Sequence, residues 1–124
     1  MARMCKIYDI YAKATPQRGS WCAGVTATAL GDGSKGSWSG GDTKYEGAGA
    51  RLIHSDPEIV LYGVDSNSVI EIFLAIDDDP KKAGTQNAAD KVTFQFEAVE
   101  KAGGNTYWYQ EGDWILAVDY VFTS

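Results

Sequence analysis

The chain is poor in the features that mark several common classes of protein. No apolar run approaches the roughly 20 residues a helix needs to span a bilayer; the longest, such as Trp114 to Val118, are of core size. The opening residues, MARMCKIYDIYAKA, lack a long apolar signal core and carry scattered charges. A cytoplasmic protein without a membrane segment is therefore expected. Cysteine is scarce, with only Cys5 and Cys22. If residues 5–13 and 20–30 form a hairpin turning near Pro16, Cys5 faces the region of Thr28 and Cys22 that of Tyr11. The thiols are then not opposed, and no disulfide is expected. Two buried free thiols suit a reducing compartment. Positive charge is also scarce, 11 Lys and Arg against 17 Asp and Glu, for a net charge of −6. Nucleic-acid binders usually show a basic surface, because phosphate contacts supply most non-specific affinity. Here such contacts need a handful of cationic side chains or bound cations.

The 124 residues are 44% apolar, which suits a single domain, 1–124, with one core. Residues 5–14 alternate apolar and polar side chains, as a strand does. A turn cluster at Thr15 to Ser20 leads to a second strand at 21–30, and Gly31-Asp32-Gly33-Ser34 to a short third at 35–39. Tyr45, Ala48, Leu52 and Ile53 then fall at helical spacing over 43–54, with Asp42 or Thr43 as N-cap. His54, the one histidine, closes that helix at the surface. Residues 58–64 read as a strand, 68–76 as a helix capped by Asp65-Ser66-Asn67, and 91–100 as a strand. The run Asp77-Asp78-Asp79 belongs to a solvated loop over 77–90. The last segment, 106–122, reads as a helix, with a buried strand as the alternative. The order βββ-α-β-α-β-α implies an α/β fold: a mixed five-stranded sheet, its first three strands antiparallel, with helices on its faces.

In that frame four acids stand out: Asp9 within the first strand, Glu46 in the first helix, Asp65 after the fourth strand and Asp113 opening the last helix. Around them lie Trp21-Cys22-Ala23-Gly24-Val25, Val64-Asp65-Ser66-Asn67-Ser68-Val69 and Glu111-Gly112-Asp113 with Leu116-Ala117. In these places the chain resembles the type 1 ribonuclease H family over roughly residues 6–117. The resemblance implies a ribonuclease H-like fold and a metal-dependent endonuclease that hydrolyses the RNA strand of RNA–DNA hybrids. It implies that Asp9, Glu46, Asp65 and Asp113 hold two Mg²⁺ or Mn²⁺ ions about 4 Å apart, hard cations that prefer oxygen ligands. Thr43, Lys44 and Asn67 would contact the substrate.

The family's loop histidine would fall near Ala102 and is absent, and Ile10-Tyr11 replaces the family's glycine-serine. With the acidic balance, these departures favour an alternative, a catalytically inactive ribonuclease H-like module that binds nucleic acid or protein. Each acid also has an ordinary structural explanation, Glu46 as the far end of a capping box from Thr43 and Asp65 as an N-cap. A third reading is unrelated to nucleases. Trp38, Tyr107, Trp108 and Tyr109 pack in the core on the first expectation, but they could form a stacking platform. In that case the chain is a small β-rich protein that binds a ligand such as carbohydrate, with 106–122 a strand and the Gly-rich 40–50 a loop.

Overall fold

A computed structural model describes residues 4–16, 18–29, 39–40, 43–47, 49–64, 68–99 and 106–123. Among them are nine strands and no helix: β1 Met4–Ala14, β2 Cys22–Ala29, β3 Ser39–Gly40, β4 Arg51–His54, β5 Ile59–Tyr62, β6 Val69–Asp77, β7 Asp90–Glu97, β8 Thr106–Glu111 and β9 Trp114–Thr123. They form two antiparallel sheets. One has the order β4-β1-β9-β8, with β5 also pairing β1, and the other has the order β3-β2-β6-β7. The fold is an all-β sandwich, which corrects the α/β, ribonuclease H-like architecture with helices on a mixed sheet.

Three segments carry the correction. In 43–54 the backbone cannot stay helical, because Gly47 and Gly49 adopt φ of +86° and +97°, far from the −63° of a helix. Instead Tyr45 exchanges backbone hydrogen bonds with Trp21 at 3.0 and 2.8 Å, and Arg51–His54 runs as β4 along β1. His54 is buried there rather than at the surface. In 68–76, Ile70, Ile72, Leu74 and Ile76 recur every second residue, which is the strand period. All four are fully buried in β6, a central strand paired on both sides by β2 and β7. In 106–122 the Gly112-Asp113 turn, with Gly112 at φ +57°, folds β8 back on β9 so that Glu111 faces Trp114.

The strands expected at 5–14, 21–30, 58–64 and 91–100 are present, although β1 and β2 lie in different sheets and do not form the expected hairpin. The expected third strand at 35–39 falls largely outside the described residues. Strand β1 holds a further surprise. Its register against β9 shifts between Ile7 and Ile10, so Tyr8-Asp9 form a β-bulge, two residues facing one. The bulge resets the alternation. Cys5 and Ile7 point inward before it, Ile10 and Ala12 after it, and all four are fully buried.

Between the sheets lies one core. The fully buried Leu116 and Val118 of β9 join the β1 residues on one side, and Ile70, Ile72 and Leu74 of β6 line the other. Small Ala23, Ala27 and Ala29 of β2 sit beside Ile76, Ile72 and Ile70, so volume alternates across the sheet. An aromatic stack closes the β7–β8 side, with Phe96 on Tyr109 at 4.1 Å and Tyr107 on Tyr120 at 4.4 Å between ring centroids. Both cysteines are free and buried, and burial pushes the Cys5 thiol up to about 12.

Candidate functional site

The structure separates residues that the ribonuclease H resemblance brings together. Asp9 sits in the bulge in the middle of β1, half-buried. Asp113 sits in the exposed β8–β9 turn, where its carbonyl accepts the Thr15 N–H at 2.7 Å just past the end of β1. Five or more strand residues, at least roughly 17 Å at about 3.3 Å each, part the two. Glu46 is exposed in the segment after Tyr45, with its carbonyl taken by the Arg51 guanidinium. Tyr45 tilts on Trp21 at 4.8 Å and Trp21 meets Trp114 edge-on at 4.9 Å, so Glu46 shares the Asp113 end of the sandwich. Thr43 and Lys44 are exposed just before Tyr45. Asp65 and Asn67 lie outside the described residues, as does Trp38. Among the described residues no three His, Cys, Asp or Glu side chains form a group that could hold a metal ion.

The aspartate run at 77–79 is divided among structural tasks. Asp77 accepts the Asp79 N–H at 2.9 Å and the Ala89 N–H at 2.8 Å, clasping both ends of the 78–89 loop. Those backbone donors, Asp79 first, hold its carboxyl below the ordinary carboxylate range. Asp78 pairs with Arg18 at 3.2 Å, and Asp90 pairs with the same guanidinium at 2.8 Å. The Arg18 side chain also lies 5.9 Å from the Trp114 ring centre. It is held in its cationic form first by the Asp90 hydrogen bond. This network lines an open groove of about 1010 Å³ at the end of the sandwich, with Asp113 on its rim. The Arg18 charge is answered from within the groove, and the Lys91 ammonium donates to the Gln86 carbonyl at 2.9 Å. The groove is thus cross-linked by its own side chains.

The outer faces of the two sheets differ, and the difference marks the stronger candidate. The outer face of the β2-β6-β7 sheet is polar around a single large apolar side chain, the half-buried Phe73: Thr26, Thr28, Thr93 and Glu71 lie along it, and the Gln95 amide donates to Glu71 at 2.9 Å. The outer face of the β4-β1-β9-β8 sheet gathers large apolar side chains instead. Register places Leu52, Tyr11, Ala117 and Trp108 side by side on four adjacent strands. Leu52 and Trp108 are 43% and 60% exposed, while Ala117 between Tyr11 and Trp108 is covered to 1%. Tyr8 on the bulge and Tyr62 on β5 extend the patch, at 41% and 61%. Four of the five large hydrophobic side chains exposed among the described residues are therefore on this one face. Exposed apolar surface gathered in this way marks interaction sites more often than scattered residues do.

Polar groups border the row. The Thr106 hydroxyl donates to Asp119 at 2.6 Å on the neighbouring row, and Asp9 is beside it on the bulge. Lys6 and Lys13 also point outward from β1, so two lysines and two aspartates leave this face without net charge. The bulge contributes directly: by adding a residue at Tyr8-Asp9 it turns both outward while Ile7 and Ile10 stay in the core.

The sequence offers Tyr107, Trp108 and Tyr109 together, with Trp38, as core residues or a stacking platform. The structure divides that run by strand parity, with Tyr107 and Tyr109 packed inward on Tyr120 and Phe96, and Trp108 facing out. Tyr8, Tyr11 and Leu52 carry no such signal, because their meeting depends on cross-strand register between segments some 40 to 100 residues apart in the chain. No protein-family model and no curated protein sequence matches this chain.

Proposed function

We propose that this protein is a non-catalytic carbohydrate-binding domain whose outer β4-β1-β9-β8 face takes neutral sugars. The carrying observation is the row Leu52–Tyr11–Ala117–Trp108 in register across four strands, with Trp108 60% exposed. A sugar ring has one face of C–H groups and an edge of hydroxyls. An exposed indole or phenol ring offers flat apolar surface to the first, and the carboxylates of Asp9 and Asp119 offer acceptors to the second. The absence of net charge on the face and the net −6 of the chain both disfavour a polyanion, whose capture relies on clustered cations. That weighs against the nuclease reading and against an RNA–DNA hybrid as ligand.

The test is retention of the protein during native electrophoresis through gels holding neutral polysaccharides, beside its mobility with a labelled RNA–DNA hybrid. Retardation in at least one polysaccharide gel, lost in Trp108→Ala with an unchanged melting temperature, is the expected result. Free migration in every gel, or binding or cleavage of the hybrid, overturns the proposal.

A further inference from the structure

The arrangement of the row narrows the class of carbohydrate, on the assumption that the face binds sugar at all. Tyr11 and Trp108 are anchored two strands apart, with β9 and its Ala117 between them. Strands in a sheet are about 4.8 Å apart, so the two anchors are separated by roughly 10 Å. That is close to the length of one disaccharide repeat in a fully extended β-1,4-linked glycan. In such a chain alternate sugars present the same face, so every second ring could lie flat on an aromatic side chain. An α-1,4-linked glucan curves into a helix and presents its successive rings along an arc, which fits a row of residues in register across adjacent strands less well.

The intervening residue fits the same geometry. Ala117, the small member between two large ones, is covered by its neighbours and places no third ring under the middle sugar. Leu52 continues the row one strand beyond Tyr11, which lengthens the apolar track by about another 4.8 Å. The rows on either side are polar where hydroxyls would point. Thr106, Asp119 and Asp9 lie on one flank, and Lys13 and Gln110 on the other, in register with Ile115. We infer that the face binds a single extended β-1,4-linked, uncharged glycan chain, running across the strands along Leu52–Tyr11–Ala117–Trp108 and stacking alternate sugars on Tyr11 and Trp108.

Isothermal titration of the intact chain with defined oligosaccharides tests this. The probes are β-1,4-linked glucose or xylose oligomers of two to six units and an α-1,4-linked glucose hexamer. The β-linked hexamer is expected to bind at least about tenfold tighter than the α-linked one, the effect of one ordinary aromatic contact. Affinity should rise steeply once an oligomer is long enough to reach both rings, between two and four units. Trp108→Ala and Tyr11→Ala should each remove that rise, while Tyr11→Phe, which keeps the ring, should preserve it. Thermal melts of all three variants show whether a loss reflects unfolding. Equal affinity for the α- and β-linked hexamers, or affinity independent of length, overturns this inference while leaving the carbohydrate face standing. Failure of every oligomer and every polysaccharide gel removes both.

Discussion

Replacing Ile72 with alanine, beside Phe73→Ala, tests the register of β6 on which the sandwich rests. Ile72 is fully buried, next to Ala27 on β2 and Phe94 on β7. Removing a buried isoleucine side chain down to alanine costs about 2–5 kcal/mol, more where neighbours cannot close the void. Ala27 is too small to fill it and Phe94 is held within the core cluster, so the low end is excluded and the expectation is about 3–4 kcal/mol. Phe73 points the other way, half-exposed between Thr26 and Thr93, and its loss should cost about 1 kcal/mol. With a urea slope of about 2 kcal/mol/M, Ile72→Ala lowers the unfolding midpoint by roughly 1.5–2 M and Phe73→Ala by roughly 0.5 M. Equilibrium urea unfolding followed by far-UV circular dichroism measures both. Equal losses, or a larger loss in Phe73→Ala, would refute the period-two register and return this segment to a helical reading.

Two further outcomes follow from titrating groups. Cys5, whose thiol burial pushes up to about 12, should resist alkylation at pH 8 in native protein and react fully only in denaturant. Rapid native labelling, located by peptide mass mapping, would show that β1 opens. The Asp77 carboxyl is depressed in the fold by the Asp79 and Ala89 N–H groups, so it contributes stability above its unfolded value near 4. That contribution is lost as pH falls through the lower folded value. Asp77→Asn should therefore flatten the acid limb of a plot of melting temperature against pH. An unchanged limb would count against the clasp.

How much of this was legible in the sequence depends on the segment. Local alternation marked β1 and β7, because a strand with one buried face repeats every second residue. Residues 68–76 misled because a buried strand of Ile, Phe, Leu and Ala has few polar residues to mark its period, and an Asp-Ser-Asn sequence before it mimics a helix cap. In 43–54 the spacing of Tyr45, Leu52 and Ile53 suggested a helix, while the decisive signal was Gly47 and Gly49, both in left-handed backbone. The acids differ again. Asp9 in mid-strand reads as a catalytic carboxylate, and the fold places it in a bulge that frees it from the core-facing alternation, a local irregularity that alternation alone does not reveal. The candidate sugar face was half legible. The aromatic run around Trp108 is visible, but which of its rings faces out, and the partners brought alongside by pairing of β1 with β4 and β9, no local pattern encodes.

The division of one side of β1 between two short partners bears on solubility. The first half of β1 pairs with β5 and the second half with β4, each only four residues long. The outer margin of that sheet is thus two abutting fragments rather than one long ribbon of unpaired amide groups. A stray extended peptide from another molecule finds no continuous template there, and short interrupted margins of this kind hinder fibre-like addition. The protein can therefore display a broad apolar surface on the flat of the sheet while giving little purchase for strand addition along that margin.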